Sequence, residues 1–189
     1  YDLKDRKGDE QVKSTAWGSQ GLEASVEGLG AMGMSAFYGA RDDEESTATL
    51  NLALDLGVTM IDTAEIYGPF LNEQLINRAI GRRRDEYAIA TKFSTEVSDD
   101  GTMGAPNGSA AYARKALERS LTHLGMETID LYYLHRVDPN TPIEETVEAM
   151  AEFVQEGKVR YLGLSEARLG TASRAAGAPP RAPASVAVK

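Results

Sequence analysis

The sequence predicts an α/β fold built on a parallel sheet, and three observations carry that prediction. Short apolar runs recur with centres about 30 to 40 residues apart. A stretch of helical periodicity separates each run from the next, the pattern of βαβ units. The runs at 58–62, 87–91, 129–134 and 159–164 have almost no polar interruption, which suits strands covered on both faces.

The elements follow in order. Residues 1–14 are polar and aperiodic and read as a disordered leader. Residues 15–29 hold two short alternating runs around a glycine-containing turn, a hairpin signal. Residues 29–32 read as a short buried strand. Asp42 stands three residues before Glu45, a capping-box spacing. The helix behind it is expected to bury Ala48, Leu52 and Leu56 and to stop at Gly57. After the strand at 58–62, a second helix starts near Asn72, buries Leu75, Ile76, Ala79 and Ile80, and ends at Gly81. The strand at 87–91 leads into a Gly/Ser/Asp-rich stretch, 94–109, read as a loop. Ser109 caps a third helix, with Tyr112, Ala116, Ser120 and Leu124 on one face and Leu117 and Leu121 beside it. Gly125 ends it, and the strand at 129–134 follows. Thr141 is the expected cap of a fourth helix, with Pro142 in the first turn, where a missing N–H costs nothing. That helix carries Val147, Met150, Phe153 and Val154, stops at Gly157, and precedes the strand at 159–164.

Two architectures fit this order: an open doubly wound sheet and a (β/α)8 barrel. Gly28, Gly30 and Gly33 give G-x-G-x-x-G, but Met34, Ser35 and Ala36 begin no convincing helix. The dinucleotide fingerprint is therefore weak.

Composition excludes several functions. The chain has 189 residues, 20 Lys plus Arg against 29 Asp plus Glu, and a net charge of −9. An acidic chain is a poor nonspecific nucleic-acid binder. Without cysteine there is no disulfide, thiolate zinc site or cysteine nucleophile, and the composition fits the cytoplasm. Two histidines make a His-rich metal cage improbable. No apolar run reaches the ~18 residues of a membrane span. The charge is uneven: residues 167–189 carry +4 and no acid, leaving −13 on residues 1–166. Those last 23 residues include eight Ala and three Pro, follow no period, and read as unable to build a core.

In βα-repeat proteins chemistry gathers at the carboxyl ends of the strands. Those ends hold Asp62, Lys92, His135, Ser165 and Glu166, with Tyr67 in the loop after Asp62. Singly, each has an ordinary explanation: a cap, a solvated lysine, a core histidine, a packing tyrosine. Jointly, three ionisable groups at three strand ends need partners or a cleft. A tyrosine phenol titrates near ~10, and an adjacent ammonium lowers that value. Asp62 would keep Lys92 charged and fixed, and His135 would orient a substrate oxygen. Tyr67 would then be a proton donor beside a polarised carbonyl. The electrons must come from a hydride carrier, which means nicotinamide.

These residues sit in recognisable text. Residues 61–68, Ile-Asp-Thr-Ala-Glu-Ile-Tyr-Gly, with Asn72-Glu73 soon after, resemble the signature of the aldo-keto reductase family. So do residues 90–93 (Ala-Thr-Lys-Phe), 129–135 (Ile-Asp-Leu-Tyr-Tyr-Leu-His) and 157–165 (Gly-Lys-Val-Arg-Tyr-Leu-Gly-Leu-Ser), in order and spacing. The resemblance covers residues 15–166. Residues 135–139 (His-Arg-Val-Asp-Pro) and the Gly-Leu-Ser-Glu ending are most similar to the branch containing perakine reductase and the plant auxin-induced reductases.

The resemblance implies a (β/α)8 barrel of aldo-keto reductase type, closed below by an N-terminal hairpin and here truncated to about five β/α units. It implies NADPH-dependent reduction of a small aldehyde or ketone. Tyr67 would donate the proton, Asp62 and Lys92 would tune it, and His135 would orient the carbonyl. Gly30, Met32, Asp62, Ser165 and Glu166 would lie at the cofactor, Glu166 standing where the family often has Asn. Family members continue well past residue 166 with strands six to eight, the aromatic that stacks on nicotinamide and the residues that clamp the adenosine phosphate. Residues 167–189 are therefore expected to be a disordered or frameshift-derived tail. The truncated chain is expected to be partly ordered and impaired in activity. Three other readings remain open: a non-catalytic cofactor-binding relative like the channel β subunits, an inactive fragment, and a metal-dependent hydrolase using Asp62, Glu65 and His135.

Overall fold

A computed structural model of the chain describes residues 12–18, 20–177 and 186–188. The disordered-leader expectation therefore falls largely on residues outside those described.

The hairpin forms as expected: β1 (Ser14–Trp17) pairs antiparallel with β2 (Leu22–Ser25). A parallel sheet follows, built from β3 (Gly28–Gly30), β4 (Met60–Asp62), β5 (Ala88–Phe93), β8 (Ile129–Leu134) and β9 (Val159–Leu164), adjacent in that order. Four α-helices follow four of these strands: α1 (Asp43–Asp55), α2 (Leu71–Ile80), α3 (Ala110–Leu124) and α4 (Ile143–Gln155). After β3 the chain first makes a short 3-10 turn, Ala31–Met34, so the glycine pattern opens no α-helix there. This is the first part of a βα barrel, with helices on one face of the sheet.

Strand alternation divides the core in two. Ile61, Ile89, Phe93, Tyr132, Leu134, Leu162 and Leu164 face the helices and pack with Ile76, Leu117, Leu124 and Phe153. Met60, Ala88, Ala90, Leu131 and Tyr133 face the other way and meet Leu22 and Ala24 of the hairpin. The hairpin thus caps the lower end of the inner face with apolar side chains. Continuing the alternation up each strand puts Asp62, Lys92, His135 and Ser165 on that same inner face, at its carboxyl end. Gly163 has to be glycine: it lies opposite Tyr133 in the ladder, and a Cβ there would collide with the Tyr133 ring.

Several expectations need correction. Helix α1 buries Ser46, Leu50 and Leu54, whereas Ala48 is exposed and Leu52 and Leu56 are 42% and 43% exposed. Leucines at 50, 52, 54 and 56 alternate, which fits no single helix face, and packing against α2 selects one set. The cap itself holds: the Asp42 carboxylate accepts from Glu44 N and Glu45 N at 3.0 Å. Residues 94–109 contain a second hairpin, β6 (Thr95–Val97) and β7 (Met103–Pro106). Its turn is closed by Ser98 and Asp100, polar residues whose local bonds make a turn where composition suggested only loop. Thr141 does not cap α4; its hydroxyl donates to Asp138 at 2.7 Å, and Pro142 holds the cap position.

Within residues 167–189, read as lacking structure, Leu169–Gly177 form α5, with Ala172 and Ala175 buried. Val186–Val188 form β10, parallel to β9. Small side chains suffice there because α5 lies close against α4. Among the described residues nothing pairs with the outer edge of β3. None of their helices is long and apolar enough to cross a membrane.

Candidate active site

The sheet delivers the expected residues to one place. Gly30 pairs with Asp62 and Asp62 with Ala90, while Lys92 pairs with Tyr133. Beyond the strands the ladder continues through single bonds: Thr63 N–H to Ala90 O, Glu65 N–H to Lys92 O, His135 N–H to Phe93 O, and Ser165 N–H to Leu134 O. Lys92, His135 and Ser165 are thus each tied by backbone to the adjoining strand end.

Lys92 is the centre. Its ammonium donates to Asp62 Oδ1 at 2.6 Å, to Thr63 O at 2.6 Å, and reaches Tyr67 Oη at 3.5 Å. Its side chain is 4% exposed, so the charge is held dry and paired. Tyr67 is buried, and its ring meets His135 edge-on with centroids 6.0 Å apart. His135 is half-buried. Asp62, Tyr67, Lys92 and His135, read from four separate stretches, therefore form one cluster.

The electrostatics differ from the sequence expectation in one respect. The Tyr67 hydroxyl is not lowered; burial, followed by the Asp62 carboxylate, pushes it up to about 12, against a weaker opposing pull from Arg136. A phenol in that state keeps its proton through neutral pH and serves as a donor rather than a base.

The loop carrying Tyr67 is built tightly. Gly68 has φ +59°, and a Cβ there would lie 2.7 Å from Ser35 O, so glycine is required where the loop passes the end of the 3-10 turn. Asn72, fully buried, donates to Ala31 O at 2.8 Å and Ser35 Oγ at 2.9 Å and accepts from Thr63 Oγ1 at 2.6 Å. It ties the turn after β3 to the Tyr67 loop. The sequence marks Asn72 as a helix start and as part of the family-like signature, but not as the tie between the two loops.

The remaining expected residues differ in exposure. Gly30 is exposed, with open space where a Cβ would stand, and Met32 and Ser165 are half-buried. Glu166 is exposed, sits in the left-handed region at φ 54°, and pairs with Arg136. Glu65, weighed as a metal ligand with Asp62 and His135, does not converge with them: its carboxylate is fully buried against Arg119 and Tyr112. Among the described residues no group of His, Cys, Asp and Glu could hold a metal ion.

A parallel βα array with ionisable groups at successive strand ends defines a barrel protein of the class that does its chemistry at the carboxyl face. The sequence model described as the Aldo/keto reductase family matches residues 28–189, and the chain belongs to that family. The match includes residues 167–189, which composition alone sets apart. Among solved structures, the chain is similar to the aldo-keto reductase AKR11C1 of Bacillus halodurans in its holo form, with TM-score 0.82 and 30% identity over 95% of this chain and 58% of that one. It is similar to the thermostable aldo-keto reductase Tm1743, solved with the inhibitor epalrestat, with TM-score 0.79 and 32% identity over 94% of this chain and 62% of that one. It also resembles the glycerol dehydrogenase AKR11B4 of Gluconobacter oxydans, with TM-score 0.77 and 29% identity over 90% of this chain and 53% of that one. The chain thus spans less than two thirds of the length of each.

Proposed function

We propose that the protein reduces an aldehyde or ketone to the alcohol with NADPH, and that Tyr67 donates the proton. One observation carries this reading: a buried ammonium, fixed by Asp62 and Thr63 O at 2.6 Å each, reaches the hydroxyl of a buried tyrosine beside a histidine. Carbonyl reduction needs this kind of proton donor.

The nicotinamide end of a cofactor fits the residues present. Gly30 leaves open space at the end of β3, and Met32, in the turn that follows, and Ser165, at the end of β9, are half-buried. These three, with Asp62 and Glu166, would hold it, Glu166 from the position where it pairs with Arg136. When bound, NADPH supplies the hydride that reduces the carbonyl carbon. His135 orients the carbonyl oxygen towards Tyr67. The Tyr67 O–H bond breaks as that oxygen gains its proton, and solvent later restores the phenol. Lys92 stabilises the phenolate for that interval, and Asp62 keeps Lys92 charged and in place.

The reading applies to the whole protein. For the 189 residues alone we expect impaired turnover, because the outer edge of β3 is unpaired among the described residues and a barrel is stable when closed. The test is NADPH oxidation against a panel of aldehydes and ketones, with Tyr67→Phe as control. Turnover lost by about 100-fold or more in Tyr67→Phe supports the reading. A cofactor-binding protein without turnover on any carbonyl would point instead to a non-catalytic relative.

A further inference from the structure

The segment that carries Tyr67 is not held by the sheet alone. Residues 63–70 are loop, and Phe70 is strained into the left-handed region at φ 70°. Their internal bonds are local: Tyr67 N–H to Ala64 O at 3.1 Å and Phe70 N–H to Glu65 O at 2.9 Å. Glu65 is the junction. Its backbone N–H reaches Lys92 O at 3.2 Å, its carbonyl holds Phe70, and its side chain leaves the active site altogether.

That side chain enters a buried polar cluster on helix α3. Tyr112, Arg119 and His123, spaced seven and four apart, share one face of the helix. Arg119 pairs with the Glu65 carboxylate, and the Tyr112 hydroxyl lies 3.1 Å from it. Arg119 also donates to Val97 O at 2.7 Å, which anchors it to β6. Its guanidinium lies 5.0 Å from the centre of the Phe70 ring, and His123 packs on that ring at 4.9 Å. His123 Nδ1 is 3.5 Å from Glu73, whose other oxygen accepts from Thr91, the residue before Lys92. Glu65 and Glu73 are both fully buried.

A buried ion pair is a weak device for stability, since an apolar pair of equal volume does as well or better. What it gives here is a fixed geometry for two points of one loop, on either side of Tyr67. We propose that Arg119, acting through Glu65 and Phe70, is the positioning residue that sets the Tyr67 hydroxyl against Lys92. The catalytic consequence rests on the function proposed above; the positioning itself does not.

The test is amide hydrogen exchange on the purified chain. In Arg119→Met, exchange at Tyr67 and Phe70 should quicken about tenfold or more, while the amides of β8 stay within about twofold of wild type. Arg119→Lys, which keeps the charge but not the planar cover over Phe70, should fall between. Should Arg119→Met fail to fold, the double variant Glu65→Gln/Arg119→Met removes both charges of the pair and should show the same local quickening. Kinetically, the variant should lose about tenfold in kcat with KM within about twofold, and Arg119→Lys should recover part of the loss. Unchanged exchange at Tyr67 and Phe70 in a folded variant, or a uniform quickening across β8 as well, would overturn the proposal. A chain that reduces no carbonyl would defeat the proposed function, and the exchange comparison would still decide the positioning.

Discussion

Replacing Glu65 by Gln should remove a pH dependence of stability that the wild type shows between acid and neutral pH. Glu65 is fully buried, and burial is the largest influence on its carboxyl. The neighbouring Glu73 adds to the rise; Arg119 opposes it, as do the hydrogen bonds from Tyr112 and Arg119. The net result is a carboxyl pushed up from 4.5 to about 7. In the unfolded chain it ionises near its ordinary value; in the folded chain it holds its proton longer. A raised folded value means that its contribution is fully present below about 4.5 and is lost as pH rises towards about 7. At ~1.4 kcal/mol per pH unit of separation, the loss across that window is about 3 kcal/mol. Other carboxylates titrate in the same range, so the comparison must be a double difference. Urea unfolding of wild type and Glu65→Gln would be measured at about pH 5 and about pH 8. Gln cannot ionise, so it carries no slope of its own; at about pH 5 it replaces a carboxyl that is already protonated, and at about pH 8 it removes the counter-charge of Arg119. The wild type should lose about 2.5 kcal/mol more than the variant between the two conditions. Parallel pH profiles would refute the assignment of that titration to Glu65.

Three further outcomes are expected. Leu50→Ala should cost about 2–5 kcal/mol, and Leu52→Ala, two residues along the same helix, should stay within about 0.5 kcal/mol in denaturant unfolding. Gly163→Ala should destabilise by about 1–3 kcal/mol in thermal unfolding, because the Tyr133 ring must move to admit the Cβ. Carbonyl reduction should show no loss attributable to Tyr67 ionisation between about pH 6 and about pH 9, since its hydroxyl is pushed up to about 12; a fall centred in that interval that disappears in Tyr67→Phe would contradict the donor state.

The site was more legible than the packing. Asp62, Lys92, His135 and Ser165 could be read from strand ends because strand alternation and the carboxyl-face rule are set by backbone geometry, which short apolar runs reveal. Helix α3 was legible for the same reason: Tyr112, Ala116, Ser120 and Leu124 recur at one helical interval and are all buried. Helix α1 was not, because alternating leucines leave the choice of face to the neighbouring helix. The hairpin at 95–106 was hidden by polar turn residues whose bonds to one another are local. The state of Tyr67 was misjudged because an ammonium beside a phenol is only one influence. Burial and the Asp62 carboxylate, which the same geometry brings along, weigh the other way. Arg119 stayed invisible because its role depends on α3 lying over the Tyr67 loop, a contact between segments about 50 residues apart.

The most direct measurement is the fate of deuterium carried on the reducing carbon of NADPH during turnover of an aldehyde by the whole protein. The expected product carries the deuterium on the carbinol carbon, and Tyr67→Phe yields almost none of it. A product without deuterium at that carbon, or undiminished transfer in Tyr67→Phe, would contradict hydride reduction with Tyr67 as the proton donor.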